Sequence, residues 1–378
     1  MTKINSPISI FEYGSTHIRL AIYDEEILNN NLFFEEKIDF TKEENDSKEN
    51  IIFNLIDKAE KELGQHLNEI ILMVDSSSIF SLDYSIKKNY EKKKISEPDI
   101  DYLITQSENE IKINYKEKDI LHIIKHQILL DDKIVNEIEE VTTRSSNLII
   151  ELKFILIDKK ISNKLKELFL KKHIAVKNIF CTSFIKSEGL TKKFGMTGYS
   201  SFIDIGLKKS SLSIFKNNKL LYLNNTHIGG DHITRDISKI LKIDYRTAES
   251  KKLKFFKKNF LKEVLNEDDL LNKIINSRLE EIIEILFLNC PLIINKSLND
   301  DLRLFFIGNG SKVLNENLLS FGPEFKFIKE MKIISEKNYD CCNSAAEFNL
   351  KNKKIQPAKQ SVNLENKGFF EKLFSYLN

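Results

Sequence analysis

Glycine is scarce in this sequence, with twelve in 378 residues, or about 3% where about 7% is usual. Half of them, Gly14, Gly206, Gly229, Gly230, Gly308 and Gly310, fall in four short turns that follow apolar strands. A chain so sparing places glycine where backbone must approach something closely or take positive φ. Cysteine is sparse too. Cys181, Cys290, Cys341 and Cys342 show no metal-ligand spacing, adjacent cysteines rarely pair with each other, and the set reads as reduced thiols. That argues against a disulfide-stapled secreted fold and fits a cytosolic protein. No run reaches the ~18 apolar residues of a membrane span; Ile282 to Ile294 comes nearest and is interrupted by Glu284 and Pro291. The first residues lack the apolar run of a signal peptide, so none is expected. Net charge is only +2 with 30% charged residues, so no overall field points to a nucleic-acid partner.

What the chain does have is a repeated pattern. Phe202 to Gly206 reads as a buried strand, and the acid and glycine at its end open a turn into a second strand, Ser210 to Phe215. Asn217 and Asn218 make a hairpin turn, and a third strand, Leu220 to Asn225, runs into Gly229-Gly230. Asp231 is placed to cap a helix whose apolar side is Ile233, Ile237, Ile240 and Leu241. Aligning Glu12 with Asp204 brings Gly14 onto Gly206, Leu20 onto Leu212, Ile22 onto Ile214 and Tyr23 onto Phe215, each pair 192 positions apart. A duplicated unit of strand, acid-x-Gly turn and strand therefore heads each half of the chain. Two such turns facing across a cleft present two carboxylates and two sets of backbone N–H groups, which suit a metal-bound polyphosphate. The plainer alternative is a pair of strand-end turns whose acids are structural.

Ile8 to Tyr13, His17 to Asp24 and Leu32 to Asp39 read as three strands, and a helix from about Asn50 to Leu63 and a strand Ile70 to Val74 complete a first α/β unit. Ser81 to Ser96 is polar and lysine-rich. A helix opens at Ser96-Glu-Pro-Asp, where Ser96 can cap and Pro98 fits the first turn. Strand-like runs follow at Leu121 to Leu130 and Asn147 to Leu156, so residues 78–158 read as an inserted small α+β domain. Ile161 to Lys172 is an amphipathic helix, and Val176 to Phe180 a strand leading back to the second half. Lys239 to about Ser297 is mostly helical; its run Lys251-Lys-Leu-Lys-Phe-Phe-Lys-Lys-Asn-Phe260 reads better as a solvated helix face with buried aromatics than as a nucleic-acid patch. Leu302 to Gly310 is another buried strand ending in Gly-x-Gly, a turn whose backbone can lie flat against a purine, and Ser311 to Leu319 reads as a helix.

These motifs resemble those of the actin, hexokinase and heat-shock ATPase superfamily, and within it the bacterial cell-division FtsA family. Glu12-Tyr-Gly-Ser-Thr-His17 is similar to the first phosphate turn, Asp204-Ile-Gly206 to the second, Ile228-Gly-Gly-Asp-His-Ile-Thr234 to the connecting loop, and Ile307-Gly-Asn-Gly-Ser311 to the adenosine turn. Ala248-Glu-Ser-Lys-Lys-Leu-Lys254 looks like the helix that holds the adenosine. The resemblance implies an actin-like α/β fold of the duplicated ribonuclease H type, with an inserted domain and a C-terminal amphipathic helix. It implies ATP and Mg2+ as cofactors, with at most weak hydrolysis. Glu12, Gly14, Ser15, Thr16, His17, Asp204, Gly206, Lys208, Gly229, Gly230, Asp231, Glu249, Lys252, Gly308, Asn309, Gly310 and Ser311 are the implied nucleotide contacts, with Asp204 and then Glu12 positioning the metal through water. Two departures stand out: Leu207, Lys208 and Lys209 replace the glycines and threonine usual in the second turn, and His17 stands where the family has lysine. Lys208 or Lys209 is then a source of the missing positive charge.

The end of the chain suggests a second function. Lys351 to Asn366 is polar, as a flexible linker is. In Gly368 to Asn378, Phe369, Phe370, Leu373, Phe374, Tyr376 and Leu377 share one helical face, which suits a membrane-surface helix, or a helix docked on the protein's own core. The expected organisation is a first actin-like half over 1–77 and 159–185, the inserted domain over 78–158, and a second half over 186–238 and 300–350. A helical subdomain over 239–299, a linker over 351–366 and the helix over 367–378 complete it. The resemblance implies a protein that polymerises with itself on the cytoplasmic face of the cell membrane at the division septum. It would bind the C-terminal tail of FtsZ, with Arg278 a candidate contact, and recruit later division proteins. Two alternatives are a PilM-like pilus-assembly adaptor and a small-molecule kinase of the same superfamily, though no extra acidic motif offers the catalytic base a kinase needs.

Overall fold

The structure, a computed structural model, describes residues 7–24, 32–40, 47–135, 144–260, 269–288, 290–294, 302–313, 326–335 and 341–355. The terminal helix expected over 367–378 lies outside these residues, as do 314–319 of the helix expected from Ser311.

The chain opens with three antiparallel strands, β1 (Pro7–Tyr13), β2 (His17–Asp24) and β3 (Leu32–Asp39). Helix α1 (Lys48–Leu63) follows, its start fixed by the Ser47 hydroxyl accepting from the Asn50 N–H at 3.2 Å and its end by Gly64 at φ 67°. Ile51, Ile52, Leu55, Ile56, Ala59 and Leu63 form its buried stripe. Strand β4 (Glu69–Val74) then adds parallel to β1.

The next stretch forms a separate four-stranded sheet: β5 (Phe80–Lys94), helix α2 (Glu97–Asn114), β6 (Lys118–Leu130), β7 (Lys133–Val135) and β8 (Arg144–Asp158), in the order β5-β8-β6-β7. It has its own apolar cluster, which includes Ile100, Leu103, Ile111, Leu148, Ile150 and Phe154. The lysine-rich stretch after Ser81 is thus a long strand. Its signal was the alternation Phe80, Leu82, Tyr84, Ile86, hidden by the lysines that face solvent beyond it. The α2 cap matches expectation, with Asp99 accepting from the Ser96 N–H at 3.0 Å and Pro98 in the first turn.

Helix α3 (Lys159–Leu170) leads to β9 (Ala175–Cys181), which pairs parallel with β4 and completes a sheet of order β3-β2-β1-β4-β9. Phe11 and Phe169 meet edge to face at 4.9 Å in its core, each contributing about 1.5–3 kcal/mol by burial. After helix α4 (Thr182–Lys193) the pattern repeats with β10 (Tyr199–Ile205), β11 (Ser210–Lys216) and β12 (Lys219–Thr226). Helices α5 (Gly230–Leu241), α6 (Tyr245–Phe260), α7 (Asp269–Leu288) and the short α8 (Pro291–Ile294) precede β13 (Leu302–Ile307), β14 (Ile328–Ile333) and α9 (Cys341–Ile355). The second sheet has the order β12-β11-β10-β13-β14. Strand for strand, this is the order of the first, with the same two antiparallel and two parallel pairings.

The repetition extends to irregularities. Each second strand has its register break at equivalent residues, Ile22/Tyr23 and Ile214/Phe215. Helices α4 and α9 pack on each other between the two sheets, α4 touching β9, β10 and β11 and α9 touching β1. Residues from both halves accordingly share one apolar cluster, Phe11 and Leu72 with Phe202 and Phe305. A second cluster packs α5 and α7 on the far face of the second sheet. All four cysteines are free and buried. Asp231 does not cap α5: Gly229 is the cap residue, and Asp231 sits in the first turn, paired with Arg235. Ile240, expected on the buried side, is 53% exposed.

Candidate functional site

The two acid-x-Gly turns have the same hydrogen bond at the same place. The Gly14 N–H donates to the His17 carbonyl at 2.9 Å, and the Gly206 N–H donates to the Lys209 carbonyl at 2.9 Å. Each turn joins the first two strands of its sheet, because Glu12 and Asp204 end a buried strand and the next residues reverse the chain.

Around the second turn the glycines permit close approach. A Cβ on Gly229 would lie 2.7 Å from the Gly206 and Leu207 carbonyl oxygens. The Gly230 and Asp231 N–H groups donate to those same carbonyls at 2.9 and 2.8 Å, so the start of α5 is sewn to the turn. Gly308, at φ 84°, abuts Asp204: a Cβ there would stand 2.1 Å from Oδ1. Asn309, Gly310 and Ser311 continue as a 3-10 turn, in which the buried Ser311 hydroxyl donates to the Gly308 carbonyl at 2.7 Å. Glu249 and Lys252 are brought to the same region from α6. Lys252 Nζ lies 2.7 Å from Glu249 Oε2 and donates to the Gly230 carbonyl at 3.0 Å and to the Thr234 hydroxyl at 2.7 Å. The second turn, the start of α5, the pair on α6 and the Gly-x-Gly turn therefore form one constellation.

The first turn faces it with a different chemistry. Glu12 is buried beside three basic side chains: Lys186 Nζ is 3.3 Å from Oε1, and Arg19 Nε and His17 Nε2 are 3.6 and 3.7 Å from Oε2. Burial alone would raise its pKa, but Lys186, His17 and Arg19 outweigh that and hold Glu12 well below the usual carboxylate range. Lys186, buried on α4, is also 3.6 Å from Asp204 Oδ2, so one ammonium spans the carboxylates of both turns. A second lysine crosses the same gap: Lys209 Nζ lies 2.9 Å from Asp75 Oδ2, just past β4, while Asp75 Oδ1 accepts from the Ser183 N–H.

Of the two lysines expected to supply charge, Lys209 is therefore taken up by Asp75, and the exposed Lys208 is the one that faces outward. It lies near Lys48, at the start of α1, whose Nζ reaches the Ser15 carbonyl at 3.5 Å and covers the Phe40 ring. Burial, and then Lys208, lower the Lys48 pKa. Two amines held near each other at the mouth of the first turn suit an anion with several charges. Thr16 turns inward, its hydroxyl 3.1 Å from His17 Nδ1.

A divalent metal between Glu12 and Asp204 does not fit these residues, because the Lys186 ammonium already lies between the two carboxylates. Among the described residues no group of three His, Cys, Asp or Glu side chains converges as a metal site. Lys186, Arg19 and Asp75 were not marked by the sequence motifs. No sequence signal finds Lys186, which sits in a helix without an apolar stripe, since α4 is packed on all sides and buries Thr182, Ser183, Ser187 and Thr191 as well. Arg278 lies apart from the cleft, its Nε donating to Asp236 at 2.6 Å and its Nη1 to Glu281, which braces α7 against α5.

Two sheets of identical strand order, paired turns between them and helices packed in the middle define an actin-like α/β protein. The solved structure of a PilM-PilN type IV pilus biogenesis complex has this fold, with a TM-score of 0.59 at 11% identity over 94% of this chain and 100% of that one. In sequence, the family model described as "Cell division protein FtsA" matches residues 201–278, from the second turn through α6 to Arg278. FtsA of Streptococcus pneumoniae is 30% identical over 115 residues, 26% of this chain and 24% of that protein. FtsA of Helicobacter pylori is 22% identical over 139 residues, 37% of this chain and 28% of that protein. The similarity to FtsA is thus confined to part of the chain; the matched stretches span about a quarter of the length of these curated relatives.

Proposed function

We propose that this protein is an ATP-binding, actin-like division adaptor that assembles on the cytoplasmic face of the cell membrane and tethers FtsZ to it. The observation that carries the reading is the pair of equivalent turns on opposed sheets, with the Gly308 turn and the Glu249–Lys252 pair beside the second. Their exposed amines, Lys48 and Lys208, offer charge to a polyphosphate, and the family match falls on the half that holds Asp204, Gly229, Gly230, Glu249 and Lys252. Later division proteins would join that assembly. The helix over 367–378 would be the membrane element. At Arg278 an acidic FtsZ tail would exchange with Asp236 and Glu281, since a guanidinium accepts one carboxylate in place of another.

The test is co-sedimentation of the full chain with anionic liposomes, with and without ATP and FtsZ. Pelleting that increases with ATP, and that carries FtsZ down, is expected. Pelleting of neither protein would overturn the reading. The extent of the likeness to the PilM-PilN complex favours a second reading, a pilus-assembly adaptor. Recovery of a PilN-type partner instead of FtsZ in a pull-down with this chain would select it.

A further inference from the structure

The acids at the centre of the cleft already have cationic partners from within the chain. Glu12 and Asp204 bring two negative charges from two halves of the protein, and both are buried. Lys186 lies 3.3 Å from the first and 3.6 Å from the second, and Arg19 lies 3.6 Å from Glu12 on its other side. Two buried carboxylates left alone would be costly and would recruit a divalent ion. With Lys186 and Arg19 fixed beside them, the pull on a divalent ion is greatly reduced. A hydrated metal also needs volume between the acids, since Mg2+ keeps most of its water, and the Lys186 ammonium already lies within 3.6 Å of both. The second oxygen of Glu12 does not offer an alternative, because it faces Arg19 and His17 rather than Asp204.

We propose that the Lys186 ammonium is a built-in cation that takes the position of a divalent metal between Glu12 and Asp204, so that nucleotide binding in this cleft needs no metal. The last clause rests on the nucleotide reading above; the first does not. The built-in cation has one consequence for assembly. Because Glu12 belongs to the first sheet, Asp204 to the second and Lys186 to the helix between them, the ammonium also fixes how the two turns face each other whether or not nucleotide is bound.

Titration with Mn2+, read by the electron paramagnetic resonance of the free ion, tests the proposal without nucleotide. Wild type and Asp204→Asn should bind Mn2+ equally weakly, whereas Lys186→Ala should gain one site at least tenfold tighter, lost again in Lys186→Ala with Asp204→Asn. A wild-type site abolished by Asp204→Asn would overturn the proposal, as would a folded Lys186→Ala that gains none. Should Lys186→Ala fail to fold, the wild-type and Asp204→Asn comparison decides alone. In a second arm, ATP is titrated calorimetrically into wild type in Mg2+ and in EDTA. Dissociation constants within about threefold are expected, and a tenfold loss in EDTA would overturn metal independence. Absence of ATP binding under both conditions would instead sink the nucleotide reading, with the Mn2+ arm still deciding the role of Lys186.

Discussion

Gly308 leaves no room for a side chain beside Asp204: a methyl group there would stand 2.1 Å from Oδ1 and 2.8 Å from the Ile205 carbonyl, at a backbone φ of 84°. The first strand of the second half and the turn after β13 are locked together by the absence of one carbon atom. Gly308→Ala should therefore destabilise the protein by on the order of 2–4 kcal/mol, combining left-handed strain with overpacking. Urea denaturation measures this, and a loss below about 1 kcal/mol would show that the turn can shift away.

The amines at the mouth of the first turn make a separable prediction. Lys48→Ala or Lys208→Ala should weaken ATP binding roughly tenfold, the scale of one charge-assisted contact, while leaving adenosine binding within about twofold. Calorimetric titration with both ligands checks it. Equal losses for the two would place the lysines away from the phosphates.

Lys209 and Asp75 form a largely buried pair across the cleft at 2.9 Å. Single substitutions Lys209→Met and Asp75→Asn each leave an uncompensated partner, so each should cost more than the double substitution implies by addition. A double-mutant cycle in urea should give a coupling of about 1–3 kcal/mol. Additivity would mean that the pair is solvated in solution.

His122 joins the four-stranded sheet to the first half. Its Nε2 accepts from the Cys181 N–H at 2.9 Å among the rings of Phe180, Phe184 and Phe348. Burial pushes its pKa down from 6.5 to about 3. The unfolded chain therefore binds a proton between those values that the folded chain does not. Stability from this group is complete above pH 6.5 and is lost as pH falls toward 3. The decline between about pH 6.5 and 4.5, above the ordinary carboxylate range, should flatten in His122→Gln, measured as the denaturation midpoint against pH. His126, part-buried on the same strand and also held below its usual value, adds to that window. An unchanged slope in His122→Gln with His126→Gln would rule out both.

A helix over 367–378, as the sequence suggests, would be too short to hold in water by itself. One copy should bind a bilayer weakly, whereas an assembly presents many and gains roughly 10²–10⁴-fold in avidity. Phe370→Glu with Phe374→Glu should abolish liposome co-sedimentation and leave ATP binding intact. Wild-type pelleting by this variant would exclude the segment as the membrane element.

The duplication was written in the sequence because strands and tight turns are local. A buried strand, an acid, a glycine and a second strand need only period-2 patterning and a chain reversal, and spacing alone matched Glu12 with Asp204 and Gly14 with Gly206. Glu249 and Lys252 came from the family resemblance of Ala248 to Lys254, not from spacing alone. The long strand Phe80–Lys94 was hidden because its lysines make the stretch polar, and only pairing with β8 shows its length. The cap of α5 was misplaced by two residues because Gly229 owes its position to the Gly206 and Leu207 carbonyls, which are contacts from another element.

Sequence by itself determined the two turns, their acids and the glycines that let backbone approach them. Only the tertiary structure decided what stands between the acids. Lys186 is one lysine among many in the chain, and its type carries no sign of burial. Its role follows from α4 being held between two sheets, where the buried ammonium meets the carboxylates of Glu12 and Asp204 that the fold brings together.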